Sequence, residues 1–334
     1  MSQEVKEKVG VVLFNLGGPD SQDAVQPFLY NLFNDPEIIN FPGSFLFRKG
    51  IAKLISSLRY KRIQDQYAEI GGKSPLLEFS RKQAALLKTE LGSRGVDSHV
   101  TLAMRYWHPF TDEAIADLEA VGVDRLVLLP LYPQFSKSTT GSSFKEWDRR
   151  IKDAGDLKEL PAMKVSSYET FEPYLHSVSK RIEETLARFP EDQRDSVVVL
   201  FSAHGTPMKL VREGDPYSHQ IAKTVEAIVA REEFRNEYRL CYQSKVGPQK
   251  WLTPSTPDVI EELAKDGVKN MLIVPIAFVS DHLETLFEIG LEFSHMAHDL
   301  GVERFEVMEG LNESPYFISA LADLVCDQIG ASRN

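Results

Sequence analysis

Ser196-Val-Val-Val-Leu-Phe-Ser-Ala-His-Gly-Thr-Pro207 decides the fold. Its run Val197 to Phe201 is unbroken, β-branched and apolar, too short for a helix and too continuous for a strand with one wet face. That is the composition of a strand buried on both sides in a parallel sheet covered by helices. The strand leads straight into His204. In parallel α/β sheets ligands bind beyond the carboxyl ends of the strands, so an imidazole there is placed for chemistry rather than packing. A second stretch repeats the arrangement: Met271 to Phe278 runs into Ser280-Asp281-His282-Leu283-Glu284, and Glu284, Glu288 and Glu292 continue at helical i, i+4 spacing. A histidine and a glutamate facing one cleft, with acids behind, suit proton or cation traffic.

Working outward, similar apolar runs lie at Val9 to Leu16, Val100 to Met104, Arg125 to Leu131 and Tyr238 to Tyr242, with helical-period segments between them. The class is therefore α/β. The halves also echo each other. Val9-Gly-Val-Val-Leu-Phe-Asn-Leu-Gly-Gly-Pro19 matches the opening stretch, and Ile115-Ala-Asp-Leu-Glu-Ala-Val-Gly-Val-Asp-Arg-Leu-Val-Leu-Leu-Pro130 matches Ile260-Glu-Glu-Leu-Ala-Lys-Asp-Gly-Val-Lys-Asn-Met-Leu-Ile-Val-Pro275. Two matches in the same order predict two similar doubly wound, Rossmann-like domains, parallel sheets flanked by helices, with a ligand cleft between them. Residues 1–170 form the first domain and 171–313 the second, while 314–334 hold a helix expected to pack back across both.

The repeat is uneven, because the first half carries an insertion at about 34–74. Within it, Phe41 to Gln64 has Arg48, Lys49, Lys53, Arg59, Lys61 and Arg62, no acid, and Phe41, Phe45, Leu46, Phe47, Ile51, Leu54, Ile55 and Leu58 interleaved. In a chain of net charge −11 this reverses the local sign. Two readings stand. The 41–64 segment is a lip that touches an anionic amphiphile or the inner membrane peripherally, or it is an amphipathic helix with a solvated basic face.

The same net charge argues against a nucleic-acid partner, which needs a basic face. Only Cys241 and Cys326 occur, as expected for core residues in a reducing compartment. The N-terminus carries acids and no apolar stretch of the secretory kind, and no apolar run approaches the roughly 18 residues of a membrane span. A cytoplasmic protein, membrane-associated if the lip binds lipid, is the expectation. Oligomeric state stays open, since no coiled-coil heptads appear.

Nucleotide and hydrolase motifs fail. Gly17-Gly18-Pro19 lacks the G-x-G-x-x-G spacing, and Pro19 removes a donor where phosphate would sit. Gly72-Lys73-Ser74 has no strand before it, His295 and His298 stand outside any H-E-x-x-H pattern, and Ser202 has no G-x-S-x-G context.

Several stretches, in order, resemble one family. They are Leu13-Phe-Asn-Leu-Gly-Gly-Pro19, Gln66-Tyr-Ala-Glu-Ile-Gly-Gly-Lys-Ser-Pro75, Met104-Arg-Tyr-Trp-His-Pro109, Tyr132-Pro-Gln-Phe-Ser136 through Ser143, Ser202-Ala-His-Gly-Thr-Pro207, Tyr242-Gln-Ser-Lys-Val-Gly-Pro248 and Val274 to Glu288. From Val9 to Ile329 the chain is similar to ferrochelatases. The resemblance implies a metal-inserting lyase with protoporphyrin IX and ferrous iron as substrates, releasing two protons in the last step of haem synthesis, without an organic cofactor. It implies His204 and Glu284 as catalytic and metal-contacting residues. Asp281 and His282 would orient Glu284, and Glu288 and Glu292 would continue a path for protons or iron. Leu16, Tyr67, Ser74, Arg105, Tyr106, Trp251 and Phe278 match porphyrin-pocket positions, although core packing is an equally ordinary use of Trp251 and Phe278. Arg105 or Ser74 is expected to pair with a propionate.

Relatives acting on coproporphyrin often carry a tyrosine where Leu16 stands, which favours protoporphyrin here. Lys137 occupies the position of a cluster-ligating cysteine in animal forms, so no iron–sulfur cluster is expected. A related chelatase for another tetrapyrrole or metal (coproporphyrin iron or cobalt insertion) and a non-catalytic tetrapyrrole-binding protein remain as alternatives.

Overall fold

Strand β1 (Val9–Asn15) is buried at every position, as its unbroken apolar run requires. It pairs in parallel with β2 (Ser98–Met104) and with β3 (Arg125–Pro130), and a short β4 (Ala162–Lys164) adds to the β3 edge. The second sheet repeats this plan. Its centre is β5 (Val198–His204), flanked by β6 (Tyr238–Gln243) and β7 (Asn270–Pro275), with β8 (Arg304–Val307) outermost. The strand orders, β2-β1-β3-β4 and β6-β5-β7-β8, are the same, so the duplication read from sequence extends to topology. The computed structural model describes residues 7–38, 44–245 and 249–333, apart from the side chains of 44–46.

Two compact units result. The first comprises the chain through Tyr132, Lys137–Ser167 and Glu313 onward; the second comprises Pro133–Ser136 and Tyr168–Asn312. The final helix, Pro315–Ile329, belongs to the first unit, where it packs on Leu76–Ser93. In the first core, Val12, Phe14 and Leu128 of the sheet meet Leu118 and Trp147 of its covering helices. In the second, Leu200 and Ile273 meet Ile260, Ile289 and Phe293. Each such side chain contributes about 1.5–3 kcal/mol by leaving water.

Two expectations change. Met271 to Phe278 is not all strand, because β7 ends at Pro275. The three glutamates do not lie on an α-helix either: Glu284–Phe293 is a π-helix of 10 residues. Its apolar members Ile289 and Phe293 fill the core, while Glu284 and Glu288 sit on a half-buried face and Glu292 is exposed.

Candidate active site

Parallel register places His204, the last residue of β5, beside Gln243, the last of β6. The two backbones come together through the Gly205 N–H, which donates to the Gln243 carbonyl at 2.8 Å. A β-carbon on Gly205 would stand 2.6 Å from that carbonyl oxygen, so only glycine permits this approach. The same loop pairs Pro207 with Trp251, putting the indole against Gly205. The strand ends thus fix the histidine before any side-chain contact is made.

His204 Nδ1 lies 2.8 Å from Glu284 Oε2 across 80 residues of sequence. Both side chains are partly open, 39% and 29% exposed. The same carboxylate oxygen accepts from Ser244 Oγ at 2.8 Å and from Gln243 Nε2 at 3.3 Å. Gln243 is held in turn by Ser202 Oγ, which donates to its Oε1 at 2.7 Å, and Ser202 pairs with Thr256 at 2.8 Å. Ser202 is therefore a support for this network and has no nucleophile geometry.

Burial by itself disfavours charge on both partners of the pair. For Glu284 the neighbouring His204 charge and hydrogen bond overcome it, holding the carboxyl far below the usual carboxylate range. For His204 the attraction of Glu284, helped by Glu288, outweighs burial and raises the imidazole above 6.5. Glu288 moves the other way. Burial, then the charge on Glu284, push it up to about 7, against the pull of its bonds from Ser244.

Asp281 and His282 do not orient Glu284 by hydrogen bonds. Asp281 is buried and turned away, accepting from Asn312 Nδ2 at 2.7 Å, Thr285 Oγ1 at 3.0 Å and Gly310 N–H at 3.1 Å; it ties the start of the π-helix to the 310–312 loop. The His282 ring lies 4.3 Å from that of Phe278 at a tilt of 54°, and burial lowers its pKa despite the nearby Glu284 and Asp281 charges. Phe278 also meets His204 edge-on at 6.3 Å, forming a half-buried aromatic wall beside the imidazole.

In the first unit, Leu16 follows β1 and Arg105 and Tyr106 follow β2. Arg105 sends one guanidinium nitrogen to Asp35 at 2.8 Å and Nε to Ser142 at 2.7 Å, and Ser142 donates to Asp35 at 2.6 Å. Tyr106 OH gives Asp35 a further bond at 2.7 Å, and the ring is wholly buried, so this tyrosine braces Arg105 and offers no face to a ligand. Tyr67 and Ser74 are buried as well, Ser74 Oγ bonding Leu76 N–H against Gly18. Of the expected pocket residues, Leu16, Arg105, Trp251 and Phe278 keep accessible surface.

Sequence reading missed Gln243, Ser244, Asp35 and Ser142. The first two were within reach of it, since they close the strand Tyr238–Gln243 as His204 closes β5. Asp35 carries no signal beyond an acid after an apolar helix.

The ferrochelatase family model matches residues 8–329. A ferrochelatase of Gloeobacter violaceus is 45% identical over 324 residues, covering 97% of this chain and 98% of that one. The chloroplastic ferrochelatase-2 of Cucumis sativus is 44% identical, covering 98% of this chain and 64% of its own length. Among solved structures, SirB from Bacillus subtilis with Fe3+ shares the fold at 12% identity, with a TM-score of 0.56 over 96% of this chain and 95% of that one. The chain belongs to the ferrochelatase family.

Proposed function

We propose that the His204–Glu284 pair carries the proton and metal chemistry of iron insertion in this chain. The reaction is that of a ferrochelatase, a metal-inserting lyase: ferrous iron enters protoporphyrin IX, two pyrrole protons leave, and protohaem forms at the end of haem synthesis. Iron is a substrate, and no organic cofactor enters. The observation that carries the assignment of roles is the 2.8 Å contact between His204 Nδ1 and Glu284 at a parallel-strand end.

Because Nδ1 is committed to the carboxylate, Nε2 is the nitrogen that meets the macrocycle. A half-buried, ionised Glu284 strengthens the imidazole as a base and stabilises the imidazolium once a pyrrole proton arrives. Imidazole nitrogen and carboxylate oxygen also suit ferrous iron as transient donors. Protonation and metal contact exclude each other at Nε2, so His204 serves them in turn. Phe278 and Trp251 give the macrocycle apolar faces. In the first unit, Arg105, braced by Asp35 and Ser142, has the chemistry to pair with a propionate, and Leu16 has no metal-donor atom.

Purified protein with protoporphyrin IX and anaerobic ferrous iron is expected to give protohaem absorbance and two protons per haem. Absence of haem would overturn the reading.

The 41–64 lip supports a second role, peripheral contact with anionic lipid. On the helix Ser44–Glu69, Phe47, Leu54 and Leu58 are 64%, 59% and 74% exposed, with Lys49 and Lys53 exposed beside them. Phe41 and the side chains of Phe45 and Leu46 lie outside the described residues. No helix among the described residues is long and apolar enough to cross a membrane. The double reversal K49E/K53E is expected to weaken co-sedimentation with phosphatidylserine vesicles by about thirtyfold or more, given roughly 1 kcal/mol per basic residue near such a surface. Unchanged sedimentation would remove the lip from any membrane role.

A further inference from the structure

Whether Glu284 reaches His204 depends on where the π-helix starts. That start is held by a residue 31 positions downstream of Asp281. Asn312 is buried, and its carboxamide meets Asp281 twice: Nδ2 donates to Asp281 Oδ2 at 2.7 Å, while Oδ1 accepts from the Asp281 N–H at 3.0 Å. The Asn312 N–H donates to the Val279 carbonyl at 2.9 Å, so the same residue also grips the backbone ahead of Asp281. On its other oxygen, Asp281 accepts from the Gly310 N–H at 3.1 Å and from Thr285 Oγ1 at 3.0 Å; Thr285 in turn accepts from the His282 N–H at 3.0 Å. Thr285 follows Glu284 directly, so the line of contacts from Asn312 to the neighbour of that carboxylate is unbroken.

The loop is shaped for this clamp. Asn312 has φ 44°, in the left-handed region, which asparagine tolerates better than most residues bearing a side chain. A β-carbon on Gly310 would stand 2.8 Å from the Asp281 nitrogen and 2.9 Å from Asn312 Oδ1, so only glycine lets the loop come this close. A carboxylate only accepts, whereas an amide side chain donates and accepts at once. Asparagine thus serves the Asp281 carboxylate and the Asp281 N–H together. A second carboxylate in its place would oppose oxygen to oxygen, and an alanine would take one partner from each of those buried groups.

We propose that Asn312 is a positioning residue for iron insertion: through Asp281 and Thr285 it sets the start of the π-helix so that Glu284 meets His204. The inference rests on the reading of the His204–Glu284 pair given above. The contribution of Asn312 is geometric, and it moves no proton. Asp281 belongs to the same clamp, where the bonds it accepts matter and its charge does not.

The two side chains can be tested by exchange. D281N sets an amide donor against a donor, and N312D sets two carboxylates face to face. In the double exchange D281N/N312D the new amide donates to the new carboxylate, and the bonds from Gly310, Thr285 and the 281 N–H are all kept, so one hydrogen bond reverses and none is lost. N312G, which keeps the left-handed backbone while deleting the carboxamide, serves should N312D not fold. In the full chain, folding is checked by circular dichroism, protoporphyrin IX affinity by fluorescence, and single-turnover insertion of anaerobic ferrous iron by absorbance. Porphyrin affinity within about twofold of wild type in every folded variant, insertion slowed at least about tenfold in D281N, N312D and N312G, and recovery to within about threefold of wild type in the double exchange are the expected results. Wild-type insertion in the folded single variants would overturn the clamp. A double exchange as slow as D281N would overturn it too, by showing that the Asp281 charge itself is required. A wild type that inserts no iron would instead overturn the reading of the pair on which the clamp rests.

Discussion

Glu288 sits where three effects meet: a half-buried position, the negative charge of Glu284 and two bonds from Ser244. The balance pushes its carboxyl up to about 7, so between its ordinary value of 4.5 and that point the folded chain holds a proton that the unfolded chain lacks. Stability from this residue is present at low pH and falls as pH rises through that window. E288Q removes the dependence. Its melting temperature relative to wild type is expected to climb by about 3 °C from pH 5 to pH 8, measured by calorimetry; a constant difference would contradict the assignment. The raised His204 and depressed Glu284 bracket a different window, since their mutual stabilisation is complete above the ordinary carboxylate range and below 6.5. That His204 and Glu284 come together was legible in the sequence because each lies at or beyond the end of a buried strand and belongs to a recognisable stretch. The contacts of Ser244 were not, since they come from a backbone angle that no residue type announces. Tyr106 misled for a related reason: an aromatic ring near a site reads the same whether it faces a ligand or, as here, is sealed inward on Asp35.

Elements were read with uneven success. The central strands declared themselves by continuous apolar runs, whereas β4 and β8 did not, being short edge strands of partly exposed residues. The row Glu284, Glu288, Glu292 fits α-helical spacing, and sequence alone has no signal that separates this from the π-helix observed; such insertions are rare and gather at functional sites. What fixes the site at this scale is how closely the ends of β5 and β6 approach. G205A is expected to force the Gln243 carbonyl away, costing about 1–3 kcal/mol in denaturant unfolding and lowering metallation, because His204 moves with its strand end. Full stability and full activity in that variant would show that the strand ends do not position the imidazole.

On the scale of the whole molecule, duplication is the organising fact. Two units with the same strand order each present side chains beyond the carboxyl ends of their strands. In one unit they are an ion pair, a serine hydroxyl between two carboxylates and aromatic walls; in the other, an aliphatic residue and a braced guanidinium. The duplication was legible because both copies kept their strand-ending sequences. The place of the last helix was not, since nothing in Pro315–Ile329 says which sheet it accompanies. Family membership gives the reaction, and the geometry gives the proposed division of labour within it. The most direct test follows metallation of pre-bound protoporphyrin IX by anaerobic ferrous iron in wild type, H204A and E284Q. The pair's proposed role predicts normal porphyrin binding in all three, with insertion slowed by about 10²-fold or more in both variants. Either variant inserting iron at the wild-type rate would contradict it.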